Sequence, residues 1–161
     1  MKAIKMEERE KGVTEMDREQ AEVQSLLLRL RQYQAQAEAT SQELLFVRQA
    51  IGEHEKATET IKQLKRMKAG DELIVPIGAN SSVYVTLSNT DKIIVRLGGG
   101  VSAEKDPDSS MQYLNEKRGE LENSQREMTG ILQKMEQEAQ KLQMRLQELA
   151  SAAGTGRQSQ T

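Results

Sequence analysis

Two long seven-residue repeats constrain this chain more than any other feature of its sequence. In the first, mostly apolar residues recur at the first and fourth positions of a heptad from Met16 to Ile61, and neither proline nor glycine interrupts the stretch from Met16 to Ile51. In the second, leucine or methionine stands at every seventh residue from Leu114 to Leu149. A heptad pattern of this length predicts a helix that hides one narrow stripe against another helix.

Particular residues also indicate where both predicted helices begin and end. Thr14 resembles a helix cap, so we expect a flexible extension over 1–13 and a first coiled-coil helix over 14–69. Asp106 and Pro107 are typical of an N-cap and a first helical position. They predict a second coiled-coil helix over 106–152, followed by a small, polar tail over 153–161 that we expect to be disordered.

The region between the helices changes its period from seven to two. Residues 70–105 contain β-branched stretches at Leu73–Ile77, Ser82–Leu87 and Lys92–Leu97, and a shorter one near Val101. Gly78-Ala79-Asn80 and residues 88–91 supply turns, and Pro76 is typical of an edge or a bulge. We therefore predict two β-hairpins. Because four short strands bury too little area to be stable alone, we expect them to pair with another chain.

Together these elements predict an α+β protein. Each helix has only one stripe to bury and the connection reverses the chain, so the helices should form a long antiparallel two-helix coiled coil joined by two central β-hairpins. With 36% hydrophobic and 2% aromatic residues and a mean hydropathy of -0.70, the chain lacks the side chains for an ordinary globular core.

Composition excludes several functions. The net charge of -2, with Lys and Arg interspersed among Glu, provides no basic field for nucleic acid. Without cysteine and with His54 as the single histidine, no metal site, catalytic residue or cofactor is predicted. Gly98-Gly99-Gly100 lacks the rest of a phosphate-binding motif and indicates a tight turn. With no apolar segment long enough for a signal or membrane helix, we expect a cytoplasmic protein without a membrane partner.

Some apolar residues lie off the stripes. Leu27, Leu28 and Met144 should fall at a similar level of the coiled coil and form an exposed patch, which is typical of an interaction site. Alternatively, Leu27 and Leu28 widen the buried stripe. Leu45, Phe46 and Ile131 are also off the stripes, midway along the helices, so such residues are not unique to one end.

The central block resembles the α subunits of archaeal prefoldins. The resemblance is carried by Asp71-Glu72-Leu73-Ile74-Val75-Pro76-Ile77-Gly78, by Lys92-Ile93-Ile94-Val95, and by Leu97-Gly98-Gly99-Gly100-Val101 leading to Asp106, between two long heptad helices. It extends over about residues 16–152. It implies a hexamer of two α and four β subunits, in which the hairpins oligomerise into a β-barrel.

The resemblance also implies a function. It would be an ATP-independent holdase that binds unfolded client proteins at the coiled-coil tips and passes them to a group II chaperonin. The residues expected to contact clients are Val23, Leu26, Leu27, Leu28, Leu30, Leu142, Met144, Leu146 and Leu149. Those expected in subunit assembly are Leu73, Val75, Val83, Val85, Ile93 and Val95.

Alternatives remain open at this point. The stripe residues Leu26, Leu30, Leu142, Leu146 and Leu149 could be structural only. The chain could instead be a coiled-coil scaffold or spacer with one folded partner. It could also be a homo-oligomeric, filament-forming prefoldin relative that assembles without β subunits.

Overall fold

The computed structural model describes the backbone of residues 2–158 and the side chains of residues 17–152. In chain order the elements are α1 (Lys2–Leu64), β1 (Glu72–Gly78), β2 (Ser81–Thr86), β3 (Ile93–Gly98), β4 (Val101–Lys105) and α2 (Pro107–Gln158). They divide into two compact units. The first contains Met1–Leu44 and Glu127–Thr161, and the second contains Leu45–Arg126.

The heptad stripes form the interior of both units. Every predicted stripe position from Val23 to Ile61 and from Met111 to Leu149 is buried or half-buried. The most deeply buried apolar stripe residues are Leu44, Ile61 and Leu142. Thr58 is buried as well, and its hydroxyl donates a hydrogen bond to the His54 carbonyl at 2.9 Å, which satisfies the polar group. The prediction that two narrow stripes replace a globular core is therefore confirmed.

Ion pairs between the helices show their direction. In the second unit Glu55 pairs with Arg118 at 3.9 Å and Lys65 pairs with Asp108 at 2.5 Å. Between the two pairs the residue number rises by ten on α1 and falls by ten on α2, so the helices run in opposite directions. In the first unit Glu22 pairs with Arg145 at 3.0 Å. In the second unit α1 and α2 therefore lie side by side and antiparallel, as predicted, and in the first unit the two helices lie side by side.

The start of α2 is capped as the sequence predicted. The Asp106 carboxylate accepts a hydrogen bond from the Ser109 backbone N–H at 2.9 Å. The Asp106 carbonyl accepts two more, from the backbone N–H of Ser110 at 2.9 Å and from its hydroxyl at 2.8 Å. These bonds satisfy N–H groups that have no partner within the helix, and they fix the point where the chain leaves the hairpins and enters α2.

Both helices are longer than the sequence predicted. α1 begins at Lys2 instead of near Thr14 and ends at Leu64, and α2 continues past Gly154 to Gln158. The residues added to α1 are rich in helix formers and contain no proline, and each of the three added glycines, Gly12, Gly154 and Gly156, costs only about 1 kcal/mol relative to alanine. The side chains of residues 1–16 and 153–161 lie outside the described part, as does the backbone of residues 159–161, so the expected flexibility of both ends stays a prediction.

The four predicted strands form two antiparallel hairpins. β1 pairs with β2, so that Leu73 lies opposite Val85, and β3 pairs with β4, so that Val95 lies opposite Ala103. In the described part of the chain each hairpin is a separate two-stranded sheet. The register shifts between Pro76 and Gly78, which confirms the bulge that the proline indicated.

The two hairpins are structural repeats displaced by twenty residues. The second has the same register shift, between Arg96 and Gly98. Gly78 and Gly98 have φ values of 105° and 104°. The next two residues are also left-handed in both, with φ of 46° and 57° at Ala79-Asn80 and of 57° and 79° at Gly99-Gly100. Residues twenty apart in the sequence therefore occupy equivalent positions in the two hairpins. For example, Leu73 corresponds to Ile93, and Val83 corresponds to Ala103.

Candidate interaction surfaces

The residues predicted to bind clients fall into two groups in the first unit. Three are substantially exposed: Leu27 at 40%, Leu28 at 59% and Met144 at 58%. Leu142 is buried, and the others lie half-buried in the stripe: Val23, Leu26, Leu30, Leu146 and Leu149. The first three therefore offer the most apolar surface to a partner while the helices stay packed together. The other six would have to leave the stripe to expose their whole side chains.

An ion-pair cluster holds the helices together beside these residues. The Arg145 guanidinium donates to the Glu22 carboxylate from Nε at 3.0 Å, and its Nη1 lies 3.3 Å from Glu148 Oε2. Hydrogen bonds to two carboxylates raise the pKa of Arg145 above its usual value; the bond to Glu22 has the larger effect and the bond to Glu148 the smaller one. Because Met144 precedes Arg145 and Leu28 lies less than two turns after Glu22, the exposed residues of both helices lie at a similar level of this unit.

A shallow polar groove lies on α1 next to the exposed leucines. It has a volume of about 200 Å³ and is lined by Arg29, Gln32, Tyr33 and Gln36. Each of these side chains can donate a hydrogen bond. Sequence reasoning missed this groove because it followed the apolar stripe only. The spacing of the four residues on one helix face was the signal that could have indicated it.

Other apolar residues are exposed elsewhere. Leu45 is 63% exposed and Phe46 is 72% exposed in the second unit, and Ile131 is 45% exposed in the first. Their exposure agrees with the prediction that they lie off the stripes. It also means that exposure alone does not identify a client site, and that Leu45 and Phe46 are suitable positions for control substitutions.

The residues predicted for subunit assembly share one face in each hairpin. In the first hairpin Leu73 lies opposite Val85, and Val75 lies opposite Val83. In the second, Ile93 and Val95 point to one side because they are two apart on a strand. Their exposure differs: Val75 and Val83 are 38% and 41% exposed, and Val95 is 5% exposed. Leu73, Val85 and Ile93 are half-buried.

The opposite faces of the hairpins also carry apolar residues, which the sequence analysis did not single out. Ile74 and Tyr84 face each other across the first hairpin and are 63% and 75% exposed. Ile94 is 73% exposed and lies opposite Glu104, which forms an ion pair with Lys92 at 2.9 Å. Strands with apolar residues on both faces are typical of strands covered on both sides. The sequence already contains these consecutive apolar residues, so the second apolar face could have been predicted.

The edges of the hairpins can also contact another chain. In a two-stranded sheet both strands are edges, and each has an outer row of N–H and C=O groups that the sheet itself does not pair. Two-stranded sheets are marginally stable in isolation. The hairpins therefore offer both hydrogen-bonding edges and apolar faces to strands of another chain.

Within the side chains that the structure describes, there is no cluster of three or more His, Cys, Asp or Glu residues that could hold a metal ion. No helix in the described part of the chain is long and apolar enough to cross a membrane.

Comparisons with known proteins agree with this architecture. The family model described as "Prefoldin subunit" matches residues 33–152. The chain is 36% identical over 125 residues to a prefoldin subunit alpha of Methanosarcina mazei, covering 76% of this chain and 88% of the relative. It is 34% identical over 131 residues to that of Methanosarcina barkeri, covering 80% and 91%.

A solved structure supports the fold. The chain resembles a filamentous PFD from Methanocaldococcus jannaschii solved by cryo-EM, with a TM-score of 0.56 and 24% identity, over 76% of this chain and 96% of that one. At this identity the likeness bears on the fold alone, which is two long helices with two hairpins between them. With the family model covering most of the chain and the relatives covered almost in full, the chain belongs to the prefoldin family of chaperones, and the relatives it matches are archaeal α subunits.

Proposed function

We propose that this chain is a subunit of an ATP-independent holdase in the cytoplasm, which binds non-native proteins at one end of its helix pair. The observation that carries the proposal is the exposure of Leu27, Leu28 and Met144 at a similar level of the first unit. Leucine and methionine on narrow helices can adapt to partners of undefined shape. Unfolded chains present such shapes, because their apolar side chains have no fixed arrangement.

The hairpins are proposed to assemble the chaperone. Their unpaired edges and the exposed Val75 and Val83 support strand pairing with other subunits. We propose that the partners are β-type prefoldin subunits in a hexamer of two α and four β subunits, with the hairpins forming β-barrels. The similarity to α subunits supports this choice of partner.

Assembly would explain how a weak surface holds a client. Three exposed side chains provide little apolar area for one tight contact. Several ends held together by a common barrel raise the effective concentration of each end for the next segment of the client, so modest contacts add up. No nucleotide is required in this scheme, and the sequence contains no phosphate-binding motif. We also propose that the client is passed to a group II chaperonin. This step is supported only by the membership of the chain in the prefoldin family.

A second candidate is a homo-oligomer that assembles through its hairpins without β subunits. The similar Methanocaldococcus jannaschii protein is filamentous, which favours this candidate, and free strand edges fit both assemblies. Native mass spectrometry separates the two. A large homo-oligomer of the chain alone supports the filament, whereas a complex of two copies with four β-type subunits supports the hexamer.

The holdase proposal is tested by light scattering. A model protein unfolded in guanidinium is diluted into buffer without nucleotide, with and without the assembled chaperone. Suppression of scattering in proportion to the chaperone supports a holdase. Unchanged scattering from a correctly assembled complex would overturn it and would favour a scaffold that binds one folded partner.

A further inference from the structure

The stretch of α1 that carries the exposed leucines has an unusual charge distribution. From Val23 to Ala37 it contains Arg29 and Arg31 and no aspartate or glutamate, although the chain as a whole has a net charge of -2. Both arginines are exposed. In the part of the chain that the structure describes, neither forms an ion pair.

Several of the surrounding charges, in contrast, are paired with one another. Glu22, the carboxylate just before this stretch, is occupied by Arg145, which also pairs with Glu148. On α2, Lys141 pairs with Glu138 at 2.5 Å. The positive charge next to the exposed leucines is therefore left for a partner to neutralise.

The arginines lie on either side of Leu28. Arg31 is three residues after Leu28 and Gln32 is four residues after it, so both are its neighbours on the helix surface. Gln32 also lines the polar groove, together with Arg29, Tyr33 and Gln36. An apolar side chain seated on Leu28 would thus have a guanidinium on one side and a groove of hydrogen-bond donors on the other. A guanidinium fits a carboxylate particularly well, because it can donate two parallel hydrogen bonds.

We infer that this surface prefers non-native segments in which carboxylates flank apolar side chains. The occupant is an extended client segment: its apolar side chains contact Leu27 and Leu28, and its Asp or Glu side chains bind Arg31 and the Arg29 groove. The inference rests on the proposed client binding and specifies the chemistry of the client. Positively charged segments are disfavoured at the same place, because Arg29 and Arg31 repel them.

The test compares two fluorescently labelled peptides that share their apolar residues and differ only in having Asp or Lys between them. Binding to the assembled chaperone is measured by fluorescence anisotropy. Because exposed ion pairs each contribute little, the Asp peptide should bind about three- to tenfold more tightly than the Lys peptide. Added salt should reduce this ratio, since it screens exposed charges.

Arg29→Gln with Arg31→Gln should bring the ratio of the two affinities to about one. Arg48→Gln is the matched control, because Arg48 is also exposed and lies three residues after an exposed leucine, Leu45, in the second unit. It should leave the ratio unchanged. Circular dichroism checks that all variants remain helical.

The outcomes separate this inference from the proposed function. Equal binding of both peptides, tighter binding of the Lys peptide, or an equal effect of Arg48→Gln would overturn the charge preference. If neither peptide binds while the assembled chaperone still suppresses aggregation, the preference is overturned and the holdase stands. If neither peptide binds and aggregation is also unchanged, the proposed function fails as well.

Discussion

Val75 and Val95 occupy equivalent positions in the two hairpins, yet Val95 is 5% exposed and Val75 is 38% exposed. The register, the bulge and the turn are the same in both hairpins. The difference therefore comes from what covers each face. The chain itself covers Val95 in the second hairpin and leaves Val75 partly open in the first. The open position is the better candidate for contact with another subunit.

Because Val95 is buried and Val75 is partly exposed, replacing each by threonine should change the free energy of unfolding by different amounts. Val95→Thr places a hydroxyl in a buried site and should lower the free energy of unfolding by about 1–3 kcal/mol. Val75→Thr should change it by less than about 0.5 kcal/mol, because water can reach the hydroxyl. Urea unfolding of the chain purified alone, followed by circular dichroism, measures both. Equal losses in the two variants would contradict the assignment of Val95 to a covered position and of Val75 to an open one.

The hairpin turns predict a gain in stability. Ala79 has a φ of 46°, a left-handed conformation that is unfavourable for alanine and accessible to glycine, and the equivalent residue of the second hairpin is Gly99. Ala79→Gly should therefore raise the free energy of unfolding by about 0.5–1 kcal/mol, after subtracting the greater freedom of glycine in the unfolded chain.

Gly99→Ala is the matched reverse change. A Cβ at Gly99 would meet no atom within 4 Å, so backbone strain alone should lower stability by a similar amount. Thermal unfolding of the two single variants against the unsubstituted chain measures both effects. A loss of stability in Ala79→Gly would show that the left-handed conformation is not what limits the first turn.

The cap of α2 predicts a pH dependence. Hydrogen bonds from Ser109 lower the pKa of Asp106 below its usual value of 3.8. The ionised carboxylate is thus the form that the fold favours, so its contribution is complete above the unfolded-state pKa and is lost as the pH falls through the lower folded-state pKa. Asp106→Ala should lower the Tm by a few degrees at neutral pH, and this difference should shrink below pH 3.8.

Asp106→Asn is the control for this prediction. Asparagine caps helices about as well as aspartate and does not ionise. Its Tm difference from Asp106→Ala should therefore persist in acid. If Asp106→Ala has the same Tm as the unsubstituted chain at neutral pH, the cap does not stabilise the start of α2.

Much of this fold could be predicted from the sequence because its signals are local. The heptad positions, the Asp106-Pro107 start of α2 and the alternation of the strands each depend on neighbours within about seven residues. The helix start near Thr14 was predicted wrongly, because the residues before the possible cap at Thr14 are themselves mostly helix formers and continue the helix back to Lys2.

The exposure of particular side chains could not be predicted in the same way. The alternation of Ile93, Val95 and Leu97 assigns them to one face but does not say that Val95 is covered, since this depends on packing of distant parts of the chain. The charge distribution around Leu28 was visible in the sequence, but its unpaired state required the ion pairs of the structure.

The most direct test of the central claim asks whether client binding depends on the exposed residues of the first unit. Leu27, Leu28 and Met144 are replaced together by serine, and the control replaces the more exposed Leu45 and Phe46 by serine. Native mass spectrometry first confirms that both variants assemble like the unsubstituted chain. Light scattering of a diluted, unfolded model protein is then recorded without nucleotide. We predict that the triple variant loses most of the suppression of aggregation and that the double variant keeps it. Full suppression by an assembled triple variant would contradict the claim that these residues bind clients.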